Sequence, residues 1–293
     1  LTLLAPTRTG FDIAANPEFL REGSAIKDFL TPDRIVVGVE SLRAKRIFRE
    51  LYAPLKAPII FTDIKSAELI KHASNSFLAM KISYINAIAR ICENVGADVE
   101  KVAEGMGLDH RIGKAFLKAG VGYGGSCFPK DVRAFIALAE DVHYPFSLLQ
   151  EVESINKSQR TLVVAKAREL LWNLKNKTIG VLGLSFKPGT DDIRESPAIS
   201  IIKTLTSEGA NVRCYDPQAM QNMKRILPDI TYCTNAYQVA EGSHLTILLT
   251  EWEEFRTLDL KKIQSVMKTP LVIDGRNFFD PQQMKDLGFV YRG

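Results

Sequence analysis

From Lys175 onward the chain alternates short apolar runs with helical stretches, and no other property of the sequence restricts the fold as much. Residues 178–182, 211–215, 245–249 and 271–273 have the length and composition of strands. Helical patterns lie between them, one over 197–207 and a short one after Pro217. Strands joined through helices pair in parallel, so this stretch is predicted to be a doubly wound, Rossmann-like α/β domain over 175–293. Two helix starts are marked chemically: Ser196 precedes Pro197 and Asp216 precedes Pro217, each a capping side chain ahead of a proline suited to the first helical turn.

The preceding segment has a different texture. Neither Pro nor Gly interrupts residues 65–95, where Leu69, Ile70, Ala73, Phe77, Met80, Tyr84, Ile88 and Ile91 drift around one helical face. One long helix accounts for them, closed by Gly96, with Asp98 capping a short helix to Gly105 and further helical stretches over 131–140 and 146–172. Residues 64–174 therefore read as a central helical domain. Residues 1–63 hold two strand-like runs, 34–39 and 58–61, around a basic amphipathic stretch, 41–52, and read as a β-α-β remnant.

Composition excludes several classes of function. The 293 residues carry 38 basic and 34 acidic side chains in no like-charged block, for a net charge of +4, which argues against nucleic acid or lipid as the main partner. No stretch approaches the ~18 to 20 apolar residues of a membrane-spanning helix. The cysteines Cys92, Cys127, Cys214 and Cys233 stand far apart without a C-x-x-C pair, so neither a disulfide framework nor a metal centre is expected, and a reducing cytoplasm is. The opening LTLLAPTRTG lacks the features of a signal peptide and, starting at Leu1, reads as a cut.

Four segments carry chemistry. The densest is GVGYGGSCFPKD over 120–131, where Gly120, Gly122, Gly124 and Gly125 would let a backbone wrap around a ligand. Cys127 follows at the mouth of a helix beside Lys130, an electropositive setting that favours a nucleophilic thiolate, and Asp131 stands one turn on. Lys71 and Asn75, four apart in the long helix, can stabilise an oxyanion or hold an attacking water. In NPEFLREG, Asn16 can cap a helix with Pro17 in its first turn, placing Glu18 and Glu22 on one side for acid/base work. GLSFKPGTDDIRESP, over 183–197, occupies the C-terminal edge of the sheet and lacks G-x-G-x-x-G, but Lys187 and Arg194 suit phosphate or carboxylate, as do Arg111 and Arg276. Taken singly, each segment has a plainer alternative: an incidental buried cysteine, a solvated Lys and Asn, or acids that only complement a helix dipole.

Together, and in this order, NPEFLREGSAIKDFL, ELIKHASNSFLAMKISYINAIA, GLDHRIGKAFLKAGVGYGGSCFPKD and GLSFKPGTDDIRESPA resemble the UDP-glucose/GDP-mannose dehydrogenase family. The resemblance implies oxidation of a sugar C6 alcohol to a carboxylate in two NAD-dependent hydride transfers, through an aldehyde, a cysteine thiohemiacetal and a thioester that water hydrolyses. It assigns Cys127 as nucleophile, Lys71, Asn75 and Asp131 as groups that stabilise oxyanions and order water, and Glu18 as acid/base. Substrate contacts fall to Glu18, Phe19, Leu20, Arg21 and Glu22, to Lys71 and Asn75, to Lys118, Gly120, Gly122, Tyr123 and Gly124, and to Phe186, Lys187 and Arg276. Arg111 matches an arginine that reaches the neighbouring active site across a dimer interface, and Glu22, Cys127, Lys130 and Arg194 lie beside NAD. No metal is implied, and a homodimer or higher homo-oligomer through the helical domain is.

The block around Gly120 resembles the UDP-glucose branch, with GDP-mannose or a related sugar nucleotide as the alternative. A complete Rossmann domain with G-x-G-x-x-G opens members of the family, and that pattern is absent from this chain. Most of the NAD-binding domain is therefore expected to be missing, with only a remnant in 11–63. The chain then reads as an inactive fragment of a dehydrogenase, or alternatively as a non-catalytic UDP-sugar-binding protein.

Overall fold

The computed structural model describes residues 11–293, which divide into two compact units, one reaching to residue 75 and the other running from residue 76. In the first unit β1 (Ala14–Ala15), β2 (Ile35–Val39) and β3 (Ile59–Thr62) form a three-stranded sheet in that order. β2 and β3 are parallel, with Ile35 opposite Ile59, and β1 is antiparallel to β2, with Ala14 opposite Val39. Helix α1 (Ala25–Leu30) precedes β2, and α2 (Leu42–Tyr52) makes the crossover to β3. Ser41 starts α2 by accepting the backbone N–H of Ala44 at 3.0 Å. Gly38 is required in β2, because a Cβ there would stand 2.7 Å from that of Ala67, near the start of α3 (Ile64–Val95).

The expectation of a mere remnant is corrected here. The N-terminal residues form a sheet of their own, flanked by helices, with Val36 and Val37 fully buried. Two elements escaped the sequence because β1 is a pair of alanines, too short for a period, and α1 buries no side chain. The opening LTLLAPTRTG lies outside the described residues.

The second unit contains α3 from residue 76, α4 (Val99–Gly107), α5 (Phe128–Asp141) and α6 (Ser147–Leu171). Ala79 of α3 packs with Tyr123, Val132, Leu149 and Val152, and the Ser83 hydroxyl donates to the Val152 carbonyl at 2.8 Å. Asp98 caps α4 by accepting from the N–H groups of Glu100 and Lys101 at 2.8 and 3.3 Å. Helix α5 begins three residues before the expected 131, since Pro129 sits inside its first turn, where a missing N–H costs nothing.

After these helices come β4 (Thr178–Leu182), α7 (Pro197–Ser207), β5 (Asn211–Tyr215), α8 (Met220–Ile226), β6 (Thr231–Tyr232), α9 (Ala236–Ala240) and β7 (Leu245–Leu248). Then follow α10 (Glu253–Arg256), α11 (Leu260–Val266), β8 (Leu271–Asp274), α12 (Pro281–Asp286) and β9 (Val290–Arg292). The six strands are all parallel in the order β6-β5-β4-β7-β8-β9, the doubly wound arrangement that the alternation predicted. The order reverses between β4 and β7, and the crevice outside their C-terminal ends is where such sheets take ligands. Val163, Val164 and Ala167 of α6 are buried with Ile179, Ile201, Leu205 and Ile247, so the helices and the sheet share one core.

Candidate active site

Cys127 is exposed at the N-cap of α5, while Cys92, Cys214 and Cys233 are buried. Its carbonyl accepts the Asp131 N–H at 2.9 Å, so the thiol stands at the positive end of the helix. Asp131 is 2% exposed, and its Oδ1 lies 2.5 Å from the Lys130 ammonium. Cys214, by contrast, is an inert core thiol whose pKa burial pushes up to about 12.

The glycines before Cys127 are needed for a different reason from the one expected. Backbone N–H groups of Gly120, Val121, Tyr123 and Gly125 donate to Asn86 Oδ1, Gly275 O, Asn156 Oδ1 and Arg194 O, each at 2.8 Å. A Cβ at Gly120 would stand 2.8 Å from the Gly275 carbonyl, one at Gly125 2.7 Å from the Phe186 ring, and one at Gly124 would overlap the Glu195 carbonyl. It is neighbouring chain, rather than space for a ligand, that excludes side chains at these positions. Tyr123 points into the core, edge-on to Phe128 at 5.8 Å and 7% exposed. Its hydroxyl has no hydrogen-bond partner, and burial, with the Glu153 charge adding, pushes its pKa up to about 12.

At the C-terminal edge of the six-stranded sheet, three carboxylates hold the loops. Asp216, after β5, accepts from the N–H groups of Leu184, Ser185, Gln218 and Ala219 at 2.7 to 3.0 Å and from Trp252 Nε1 at 2.9 Å. Asp274 accepts from the N–H groups of Arg276, Phe278 and Phe279 at 2.8 to 2.9 Å and from the Tyr291 hydroxyl at 2.8 Å. Glu251 lies between Arg276, 3.3 Å away, and Lys118, 3.7 Å away. Burial pushes the Glu251 carboxyl up, but those two cations outweigh it and hold the group below its usual range.

Arg276 is 13% exposed and donates to Leu249 O, Gly122 O and Phe186 O at 2.7, 3.3 and 3.2 Å. It gathers three loops at the point where the strand order reverses. Sequence reasoning missed Asp216, Asp274 and Glu251 as organisers. Their signal was an acid at a strand end just before Pro217 or Gly275, or three residues past a strand in TEW.

The cations expected to meet a ligand carry internal partners. Arg194 donates to Asp192 through Nε at 2.9 Å and Nη2 at 2.7 Å, and Arg111 pairs with Asp109 through Nη2 at 2.5 Å, each otherwise exposed. Lys187 lies 5.4 Å from the Phe186 ring centroid.

In the first unit, the NPEF segment has no regular secondary structure and is not helical, a departure from the expected cap at Asn16. The Asn16 side chain donates to Val36 O at 2.7 Å and accepts from the Tyr52 hydroxyl, tying the segment to β2 and α2. Lys71, on α3, donates to the Glu18 carbonyl at 2.6 Å and to Glu18 Oε1 at 3.2 Å. Phe19 lies under the Arg34 guanidinium at 3.9 Å, and Arg34 Nη2 reaches Ser74 Oγ at 3.5 Å. Arg21 is clamped to Asp28 through Nε at 3.0 Å and Nη2 at 2.6 Å, Leu20 N–H donates to Glu18 Oε2 at 2.6 Å, and Glu22 opens the turn into α1. Asn75 is buried one turn beyond Lys71.

Three models of one family match the chain: the UDP-glucose/GDP-mannose dehydrogenase NAD binding domain over 3–56, the central domain over 65–158 and the UDP binding domain over 180–281. The chain belongs to the UDP-glucose/GDP-mannose dehydrogenase family. It is 48% identical over 285 residues to the UDP-glucose 6-dehydrogenase TuaD of Bacillus subtilis, covering 97% of this chain and 62% of that protein. It is 46% identical over 287 residues to the UDP-glucose 6-dehydrogenase of Rickettsia bellii, covering 96% and 66%. A UDP-glucose dehydrogenase structure from Pyrobaculum islandicum superposes with a TM-score of 0.90 at 38% identity, over 97% of this chain and 63% of that one. A UDP-D-ManNAc dehydrogenase from Pyrococcus horikoshii does so with 0.85 at 27%, over 98% and 66%. The chain spans a little under two thirds of the length of these relatives.

These matches correct the expectation that the NAD-binding domain is missing, and with it the view of an inactive fragment. That expectation rested on one absent glycine pattern, which reports a single turn. The family's NAD binding domain model matches residues 3–56 without that pattern. The same match supports NAD as cofactor, and the family places the chain among nucleotide-sugar oxidoreductases with Rossmann-like architecture. Lys130 and Arg194, the cations expected beside NAD, belong to the segments on either side of the Gly125–Arg194 hydrogen bond, and each is paired with a neighbouring acid, Asp131 and Asp192. Among the described residues no helix is long and apolar enough to cross a membrane, and no cluster of three or more His, Cys, Asp and Glu could hold a metal.

Proposed function

We propose that this chain carries the chemistry that oxidises the C6 alcohol of UDP-glucose to the carboxylate of UDP-glucuronate. One observation carries the reading. The exposed cysteine caps α5 at the end of a glycine loop docked, through Gly125 and Arg194, on the C-terminal edge of the sheet matching the UDP binding domain.

NAD, assigned to Glu22, Cys127, Lys130 and Arg194, supplies the hydride acceptor. The alcohol first becomes an aldehyde. The Cys127 thiolate adds to the aldehyde carbon, and the resulting thiohemiacetal alkoxide makes loss of a second hydride favourable, leaving a thioester. Lys71 and Asn75 donate to the oxyanions, Asp131 orders the water that attacks the thioester, and Glu18 moves its proton, returning the thiol and the free acid. The remaining residues assigned to substrate keep that assignment, with Arg276, Gly122 and Tyr123 acting through the loop geometry described above. The domain division at 63/64 and 174/175, cytoplasmic location and a homodimer through the helical domain belong to the same proposal. Phe77, Tyr84 and Ile91, exposed at intervals of seven on α3, support the dimer.

The likeness to a UDP-D-ManNAc dehydrogenase favours a second reading, in which another nucleotide sugar is the substrate. Assay of the protein with NAD against UDP-glucose, GDP-mannose and UDP-N-acetyl sugars separates the two. UDP-glucose is expected to give two NADH per acid formed, and preferential turnover of another sugar would replace it.

A further inference from the structure

Residues 194 and 195 hold the chain around Cys127 from two sides. On the loop side, Gly125 N–H donates to Arg194 O at 2.8 Å, and Gly124 is pressed against the Glu195 carbonyl. On the helix side, Arg133 of α5 donates to Glu195 Oε1 at 3.0 Å and to Glu153 Oε1 of α6 at 2.9 Å. Arg160 of α6 donates to the Glu195 carbonyl at 3.2 Å and lies 3.9 Å from Glu195 Oε2, while Lys157 lies 3.1 Å from Glu153 Oε1. Tyr123, Arg133, Glu153, Arg160 and Glu195 line one cleft of about 100 Å³.

Glu195 itself has a φ of +52°, a left-handed conformation that a non-glycine residue keeps only where its surroundings over-determine it. Two arginines from two helices supply that determination here. The Arg133 guanidinium holds the Glu195 carboxyl below its usual range, so the clamp is ionic at neutral pH.

We infer that Glu195 is a positioning residue for Cys127. It ties the glycine loop that leads into the cysteine to the helix that begins at the cysteine, and so fixes the position of Cys127 at the N-terminal end of α5. The inference rests on the proposal that Cys127 is the nucleophile. A residue with only a bracing role would lower melting temperature when replaced and leave the thiol's reactivity alone.

Alkylation by iodoacetamide distinguishes these roles without nucleotide or turnover, because Cys127 is the exposed cysteine and the other three are buried. Its rate is followed against pH in the protein, in Glu195→Gln and in Arg133→Met, which breaks the clamp from the other side should the first variant fold poorly. Both variants are expected to alkylate at least about threefold more slowly near neutral pH, with the profile displaced upward by about half a pH unit, and Glu195→Asp to recover part of the loss. Profiles that superimpose on the unmodified protein's, or rates that rise without displacement, would overturn the inference whatever the melting temperatures do. Failure of the underlying reading looks different: a Cys127→Ser protein still forming the acid removes the nucleophile but leaves the alkylation result standing.

Discussion

A buried polar atom is informative chiefly through its partners, and Tyr123 and Asp216 mark the two extremes. The Tyr123 hydroxyl is buried and unpartnered, so Tyr123→Phe removes a desolvated group at no cost in hydrogen bonds and should change stability by less than about 1 kcal/mol, read by denaturant unfolding. Asp216 collects four backbone N–H groups and the Trp252 indole, so Asp216→Ala leaves several buried donors orphaned and should cost about 3 to 4 kcal/mol in the same experiment. The charged cluster on Arg133 gives a pH dependence. Arg133 lowers the Glu195 carboxyl, and at Glu153, where burial acts in the opposite direction, hydrogen bonds from Arg133 and Lys157 prevail. Groups depressed in the native state stabilise fully above their unfolded value near 4.5 and lose that contribution as pH falls through the native one. Melting temperature should therefore fall on acidification below that value, and Arg133→Met should flatten the fall.

At the level of elements, the sheet was legible and the loops were not. Thr178–Leu182, Pro197–Ser207 and Asn211–Tyr215 lie where the alternation put them, because buried parallel strands read as continuous apolar runs and Ser196 signs the start of α7. Ser196→Ala should cost about 1 kcal/mol, since its Oγ both caps that helix and donates to Leu184 O at 2.7 Å. The strands β6 and β9, two and three residues long, fall below any detectable period. The glycine loop was found by its composition, but its reason was hidden, because Gly275, Phe186 and Glu195 are far from it in sequence. Gly125→Ala tests that reason. A methyl there meets the Phe186 ring on a backbone with φ of +81°, and a loss of about 2 to 4 kcal/mol is expected.

For the molecule as a whole, the family and the order of its domains were readable from four sequence blocks, whereas judging the N-terminal domain by one glycine pattern was misleading. In the homodimer we propose, the exposed stripe on α3 is the contact between copies. Tyr84→Glu places a charge at its centre and should convert dimer to monomer in sedimentation analysis, with an unchanged distribution pointing to another interface. The central claim concerns a covalent bond at one sulfur. Asp131→Asn protein quenched in acid from UDP-glucose and NAD, digested and weighed by mass spectrometry, should carry the UDP-glucuronyl group as a thioester on the Cys127 peptide. An unmodified Cys127 peptide, in a sample that has formed NADH, would contradict the account.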